Sequence, residues 1–164
     1  MNIFGIAGWS GSGKTTLLIR LVPALVRLGL EVATIKHTHH NPAVGDDESR
    51  ALAAAGAHQV LAALPRRFAL MREFAPAPEP SLTEFAALVG GVDLLLVEGF
   101  KFAGHDKIEV WDPALGKPML APDHPSVVAV ATDAEIGDLG GLGCPTFRRD
   151  DINGIARFIF SRYN

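Results

Sequence analysis

A chain of 164 residues, 48% of them hydrophobic, is long and apolar enough to bury one sizeable core, so residues 1–164 read as a single domain. A net charge of −3, with Arg66–Arg67 and Arg148–Arg149 as isolated basic pairs, argues against broad nucleic-acid binding. One cysteine (Cys144), no signal-like N-terminus and no apolar run near the ~18 residues that cross a bilayer leave no disulfide, no thiolate metal cluster and no membrane span, so a soluble, cytoplasmic protein is expected.

Residues 2–7 are a short apolar run that ends in glycines, as a strand entering a tight turn does. Leu17, Leu18, Leu21, Val22, Leu25 and Leu28 then recur at helical spacing, with Pro23 as an expected kink and Gly29 placed for a C-cap. Residues 31–36 form a second strand candidate and 37–47 a polar loop. A short alanine-rich helix is predicted over 48–55 and closed by Gly56. Residues 58–64 and 68–72 are strand candidates joined by a turn at Pro65-Arg66-Arg67, and Pro76, Pro78 and Pro80 mark a stiff connection. Ser81-Leu82-Thr83-Glu84 is a capping box for a helix to about Val89.

Residues 93–97 are continuously apolar after Asp93, which starts the run and reads as a turn or cap residue. Residues 107–111 alternate, and 127–131 are apolar throughout. Asp150 or Asp151 caps a last helix with Ile152, Ile155, Ile159 and Phe160 on one face. Apolar strands alternating with helices predict an α/β fold with a mostly parallel sheet covered on both faces.

Gly8-Trp9-Ser10-Gly11-Ser12-Gly13-Lys14-Thr15 matches G-x-x-x-x-G-K-[ST] in full, with an apolar strand before it and an amphipathic helix after it. The chemistry needs each part. Gly8, Gly11 and Gly13 let the chain curl so that N–H groups, including those of Ser10 and Ser12, point at phosphate oxygens. The helix N-terminus, with Thr15 and Thr16, adds its dipole. Lys14 supplies a charge for the β- and γ-phosphates, and Thr15 a hydroxyl for Mg²⁺. The motif therefore predicts a nucleoside triphosphate with Mg²⁺ on a phosphate-loop NTPase-type, three-layer α/β/α fold.

An acid at the end of a neighbouring apolar strand usually completes such a site. Leu94-Leu95-Leu96-Val97-Glu98-Gly99 supplies Glu98, which can hold a Mg²⁺-bound water or orient an attacking one. Lys14 and Glu98 are thus the catalytic candidates. Lys101 is positioned to reach the nucleotide or to sit solvated in its loop. Lys36-His37-Thr38-His39-His40 follows the second strand, where α/β sheets line their ligand crevice, so His37 is a candidate ligand contact. Asp47 and Arg50 are candidates for Mg²⁺ and anion contacts, or for a helix N-terminal acid and an exposed arginine. Thr132-Asp133 follows an apolar strand, which places Asp133 either against a nucleobase or in a plain turn. His58, His105 and His124 share no spacing, and Cys144 reads as a buried small apolar residue.

Together these residues resemble the MobB proteins of molybdopterin guanine dinucleotide biosynthesis. The resemblance rests on Gly-Trp-Ser-Gly-Ser-Gly-Lys-Thr-Thr-Leu at 8–17, Ile-Lys-His-Thr-His-His at 35–40, and Asp47, Arg50 and Ala54-Ala55-Gly56-Ala57. Leu96-Val97-Glu98-Gly99-Phe100-Lys101 and Lys107-Ile108-Glu109-Val110 complete it. It implies a GTP-binding homodimer with weak GTPase activity, serving as an accessory to the enzyme that attaches GMP to molybdopterin, with molybdopterin itself a further candidate ligand. In this chain Asp46 stands where the family usually has a basic residue, and no Asn-Lys-x-Asp base reader is present, so the choice of GTP rests on the resemblance. A small kinase acting on a metabolite is the alternative for the same motif.

Overall fold

In a computed structural model, residues 1–37, 47–72, 79–135 and 141–163 are described. They group into two compact units, one of residues 1–37 with 82–164 and the other of residues 38–81.

The larger unit is built on β1 (Asn2–Ala7), β2 (Val32–Lys36), β5 (Leu94–Glu98), β6 (Lys107–Val110), β7 (Val127–Ala131) and β8 (Thr146–Phe147). Their order is β2-β5-β1-β6-β7-β8, and every pairing is parallel. Parallel neighbours require crossovers, and two of these carry α1 (Lys14–Arg27) and α3 (Leu82–Ala86), while α4 (Ile152–Phe160) follows the last strand. One face of the sheet (Phe4, Ile6, Leu94, Leu96, Ile108, Ala129) packs on Leu17, Leu21 and Leu25 of α1 and on Ile155 and Ile159 of α4. On the other face, Leu95 and Val97 meet Ala86 of α3, while Ala7 and Val130 meet Leu120 and Ala121. Burial on both faces explains why β5 and β7 read as unbroken apolar runs. This is the arrangement of phosphate-loop NTPases, as the motif predicts.

Local deviations from the sequence reading have physical causes. α1 continues through Pro23 to Arg27, and Gly29 takes the left-handed conformation after it, φ 91°. β5 includes Glu98 and leaves out Asp93, whose carboxylate accepts from the Glu31 N–H at 2.8 Å. The capping box opens a helix of only five residues, ending at Ala86 rather than near Val89. β6 forms where the alternating run predicts a strand, ending at Val110 rather than Trp111, and all four of its residues are buried. Lys107 donates to the carbonyls of Ala103 and His105 and to the Ser126 hydroxyl. Glu109 accepts from the N–H groups of Leu120 and Ala121 at 2.8–2.9 Å. The charged residues of β6 are therefore core residues with internal partners, as buried charge requires. The strand β8 and a 3₁₀ turn, Pro113–Leu115, capped by Asp112, are too short to show periodicity.

The smaller unit contains α2 (Asp47–Ala54) and an antiparallel hairpin of β3 (Gln59–Leu64) and β4 (Arg67–Arg72). Its register opposes Leu61 to Leu70 and Ala63 to Phe68, so these four residues share one face. No helix among the described residues is long and apolar enough to cross a membrane.

Candidate functional site

β1 ends at Ala7 and α1 starts at Lys14, so six residues must reverse the chain and aim the helix N-terminus back over the sheet. Glycine makes this possible. Gly8, Gly11 and Gly13 have φ of 138°, 84° and 94°. At Gly8 a Cβ would lie 2.4 Å from the Val110 carbonyl oxygen and 2.7 Å from Ser12 Oγ, so no side chain fits there. Ser12 is buried and its hydroxyl has no partner among the described residues, whereas Ser10, Gly11 and Thr16 are exposed. Gly13 caps α1 without a side-chain bond, which leaves the positive end of a 14-residue helix open to an anion.

The loop and β5 meet at two residues. Thr15 Oγ1 donates to the carboxylate of Glu98, 2.8 Å from Oε1 and 3.0 Å from Oε2. Glu98 is buried, aligned beside Ile6 by the β1–β5 register. Lys14 Nζ reaches back to the Trp9 carbonyl at 2.7 Å, inside the curl of the loop. Burial lowers the Lys14 pKa; Glu98 opposes this, and the nearby charges of Lys101 and Lys36 add to it. Lys36, at the end of β2, lies 3.4 Å from Thr15 Oγ1 and 3.9 Å from Glu98 Oε1. Lys14 and Lys36 thus act on the one carboxylate and Lys101 adds a third positive charge near Lys14, a balance that favours a polyanion.

The exit of β5 is shaped tightly. Gly99 has φ 100° and could not carry a Cβ, which would come within 2.9 Å of His37 Cβ. Phe100 has φ 44°, the one non-glycine in the left-handed region among the described residues. Its ring stacks on His37 at 4.4 Å, and the His37 N–H donates to the Glu98 carbonyl at 2.9 Å. Lys101, rather than standing in solvent, places Nζ 3.9 Å from the centre of the Trp9 ring. Trp9 is held by its Nε1–H, which donates to the Pro118 carbonyl at 2.7 Å. The Leu120 and Ala121 contacts of Glu109 anchor the same segment.

Asp133 stands past the end of β7 and pairs with Arg149. Both line an open cleft of about 360 Å³ with Gly13, Thr16, Leu17 and Arg20, at the start of α1. The Arg149 side chain holds the Asp133 carboxyl below its usual range. Sequence reasoning treats Arg149 only as half of an isolated basic pair. A visible signal would have been its place at the carboxyl end of a strand, but β8 has only two residues.

Lys14, Thr15, Glu98, His37 and Lys101 therefore come together, with Asp133 on the far side of α1's first turn. Asp47 belongs to the smaller unit, where it is 95% exposed and pairs with Arg50 three residues on. Thr38 to Asp46, including His39 and His40, lie outside the described residues. No cluster of three or more His, Cys, Asp or Glu side chains suited to a metal occurs among the described residues. Cys144 is half-buried against Leu120 and Val130.

Comparison with known proteins points to one family. The MobB profile, described as molybdopterin guanine dinucleotide synthesis protein B, matches residues 3–133. The chain is 36% identical over 162 residues to the molybdopterin-guanine dinucleotide biosynthesis adapter protein of Escherichia coli K12, covering 96% of this chain and 90% of that protein. It is 40% identical over 136 residues to the protein of the same name from Haemophilus influenzae, covering 80% and 74%. A crystal structure of molybdopterin-guanine biosynthesis protein B superposes with a TM-score of 0.75 at 32% identity over 98% of this chain and 99% of that one. The profile, both relatives and the superposed structure agree on one group, and the chain belongs to the MobB family.

Proposed function

We propose that this protein is a GTP-binding adaptor of molybdopterin guanine dinucleotide biosynthesis that hydrolyses GTP slowly. The observation that carries the reading is the contact between Thr15 Oγ1 and the buried Glu98 carboxylate at the open N-terminus of α1. Mg²⁺ accepts one or two protein oxygens and completes its shell with water and phosphate, so a hydroxyl and a carboxylate in contact are a donor set of the right hardness and number. Thr15 and Glu98 would hold the ion, which when bound neutralises phosphate charge. Lys14 leaves the Trp9 carbonyl for the β- and γ-phosphates, and Glu98 orients a water on the γ side. His37 and Lys101 are candidate contacts at the rim.

Turnover is slow in this reading because the described residues around Glu98 include no glutamine or arginine on the γ side. Phosphate release should be slow and indifferent to added small metabolites. Release that depends on a metabolite would instead identify a small kinase.

The names of the relatives support an adaptor role; in this reading the GMP-transferring enzyme is the partner and molybdopterin a further candidate ligand. A homodimer is part of the proposal. Leu61, Phe68 and Leu70, on one face of the β3–β4 hairpin, are 58%, 71% and 47% exposed. A two-stranded ribbon is marginal alone, and an exposed apolar face calls for a cover, which a second copy supplies. Phe68→Glu should convert the dimer to monomer in light scattering; an unchanged mass would remove the hairpin from the interface.

A further inference from the structure

Arg149 joins three loops at the carboxyl end of the sheet. Its Nε and Nη2 reach Oδ2 of Asp133 at 2.6 and 2.5 Å. Its Nη1 donates to the carbonyl of Ser12, inside the phosphate loop, at 3.2 Å and to Oδ2 of Asp112 at 3.2 Å. One rigid guanidinium therefore spans the phosphate loop, the Asp112 turn and the Asp133 turn. Asp133 keeps 42% of its side chain exposed at the mouth of the cleft beside Thr16 and Arg20, while the Arg149 side chain is 29% exposed. An ion pair that served only the surface would contribute little and would not need the Ser12 carbonyl.

We propose that Arg149 is the positioning residue for base selection. It holds the Asp133 carboxylate toward the cleft to accept from a purine edge with two adjacent donors, an N1–H and a 2-amino group, and it ties that carboxylate to the phosphate loop through Ser12. Guanine has this edge. Hypoxanthine lacks the amino group, and adenine presents an acceptor at N1. The inference rests on the reading that residues 8–15 bind a triphosphate.

The test is calorimetric titration of the full chain with GTP, ITP, XTP and inorganic tripolyphosphate, each with Mg²⁺. A hydrogen bond to a charged group predicts that the wild type favours GTP over ITP by about 10–100-fold. Arg149→Ala should bring that ratio to within about 3-fold, and Arg149→Lys, keeping charge without the fork, should fall between. Tripolyphosphate binding should persist in both variants. Asp133→Asn, which exchanges an acceptor for a donor, should shift preference toward XTP and gives an answer even if Arg149→Ala does not fold. Equal weakening of GTP and ITP by Arg149→Ala, with the ratio intact, would overturn the proposal and leave Arg149 a strut of the loop. Failure of the wild type to bind both GTP and tripolyphosphate would instead overturn the triphosphate reading beneath it.

Discussion

Thr15 and Glu98 lie 83 positions apart in sequence, and the Thr15 hydroxyl donates to both oxygens of the Glu98 carboxylate, at 2.8 and 3.0 Å. The parallel β1–β5 pairing makes this possible, because it sets the end of β5 level with the strand that feeds the glycine loop. Glu98→Gln keeps shape and loses the charge. GTP should still bind, with a weaker dependence on Mg²⁺, while phosphate release falls about 100-fold, as loss of a water-orienting carboxylate does. Single-turnover phosphate release checks this; an unchanged rate would remove Glu98 from the chemistry.

Gly8 tests the architecture of the loop rather than its charges. With φ 138° and the Val110 carbonyl 2.4 Å from where a Cβ would stand, Gly8→Ala should cost about 1–3 kcal/mol of stability and weaken GTP binding more than thermal stability alone explains. Gly90→Ala, where a Cβ would meet nothing within 4 Å, is the matched control. Equal effects of the two substitutions in thermal melts would contradict the close approach.

The contact of Lys101 with Trp9 gives an optical reporter. In a Trp111→Phe background, Lys101→Ala should change Trp9 emission before any nucleotide is added, since the ammonium lies 3.9 Å from the ring. GTP with Mg²⁺ should shift the emission of the Lys101 parent and shift that of the variant less. Identical spectra for the two proteins would show that Lys101 stands away from the ring in solution.

His105 predicts a pH dependence. Its ring lies beside Gly5, both nitrogens lack partners among the described residues, and burial, with help from Lys107 and against Asp106, pushes its pKa down to about 4. The unfolded chain therefore binds the proton first. Stability from this group is present above about pH 6.5 and is lost as pH falls toward 4, by up to roughly 3 kcal/mol. Denaturant titrations at pH 7 and pH 4.5 should show that loss, and His105→Leu should flatten it. The same slope in the variant would assign the loss to other groups.

How much of this was legible beforehand differs by element. The loop at 8–15 and the apolar run ending in Glu98 are local patterns, and the chain folds as those patterns dictate. β6 was legible as a strand but its burial was not, because Lys107 and Glu109 are charged and only their partners at 103–105, 120–121 and 126 make burial possible. Those partners are set by tertiary contact, which periodicity does not carry. Arg149 was missed for a related reason, since its three acceptors come from residues 12, 112 and 133, and the two-residue strand before it leaves no pattern. The two compact units are likewise a matter of contacts: the polar loop from residue 37 and the prolines at 76, 78 and 80 lie beside the boundaries at 38 and 81, but they read as connections within one domain.

The most direct test of triphosphate binding is calorimetric titration of GTP with Mg²⁺ into the wild type and Lys14→Ala, alongside their thermal melts. The wild type should bind one GTP per chain, and the variant should bind about 100-fold more weakly or not at all, the order expected for a lost charge-assisted phosphate contact, while melting at the same temperature. Equal GTP affinity in the two proteins would contradict the assignment of residues 8–15 as the triphosphate cradle.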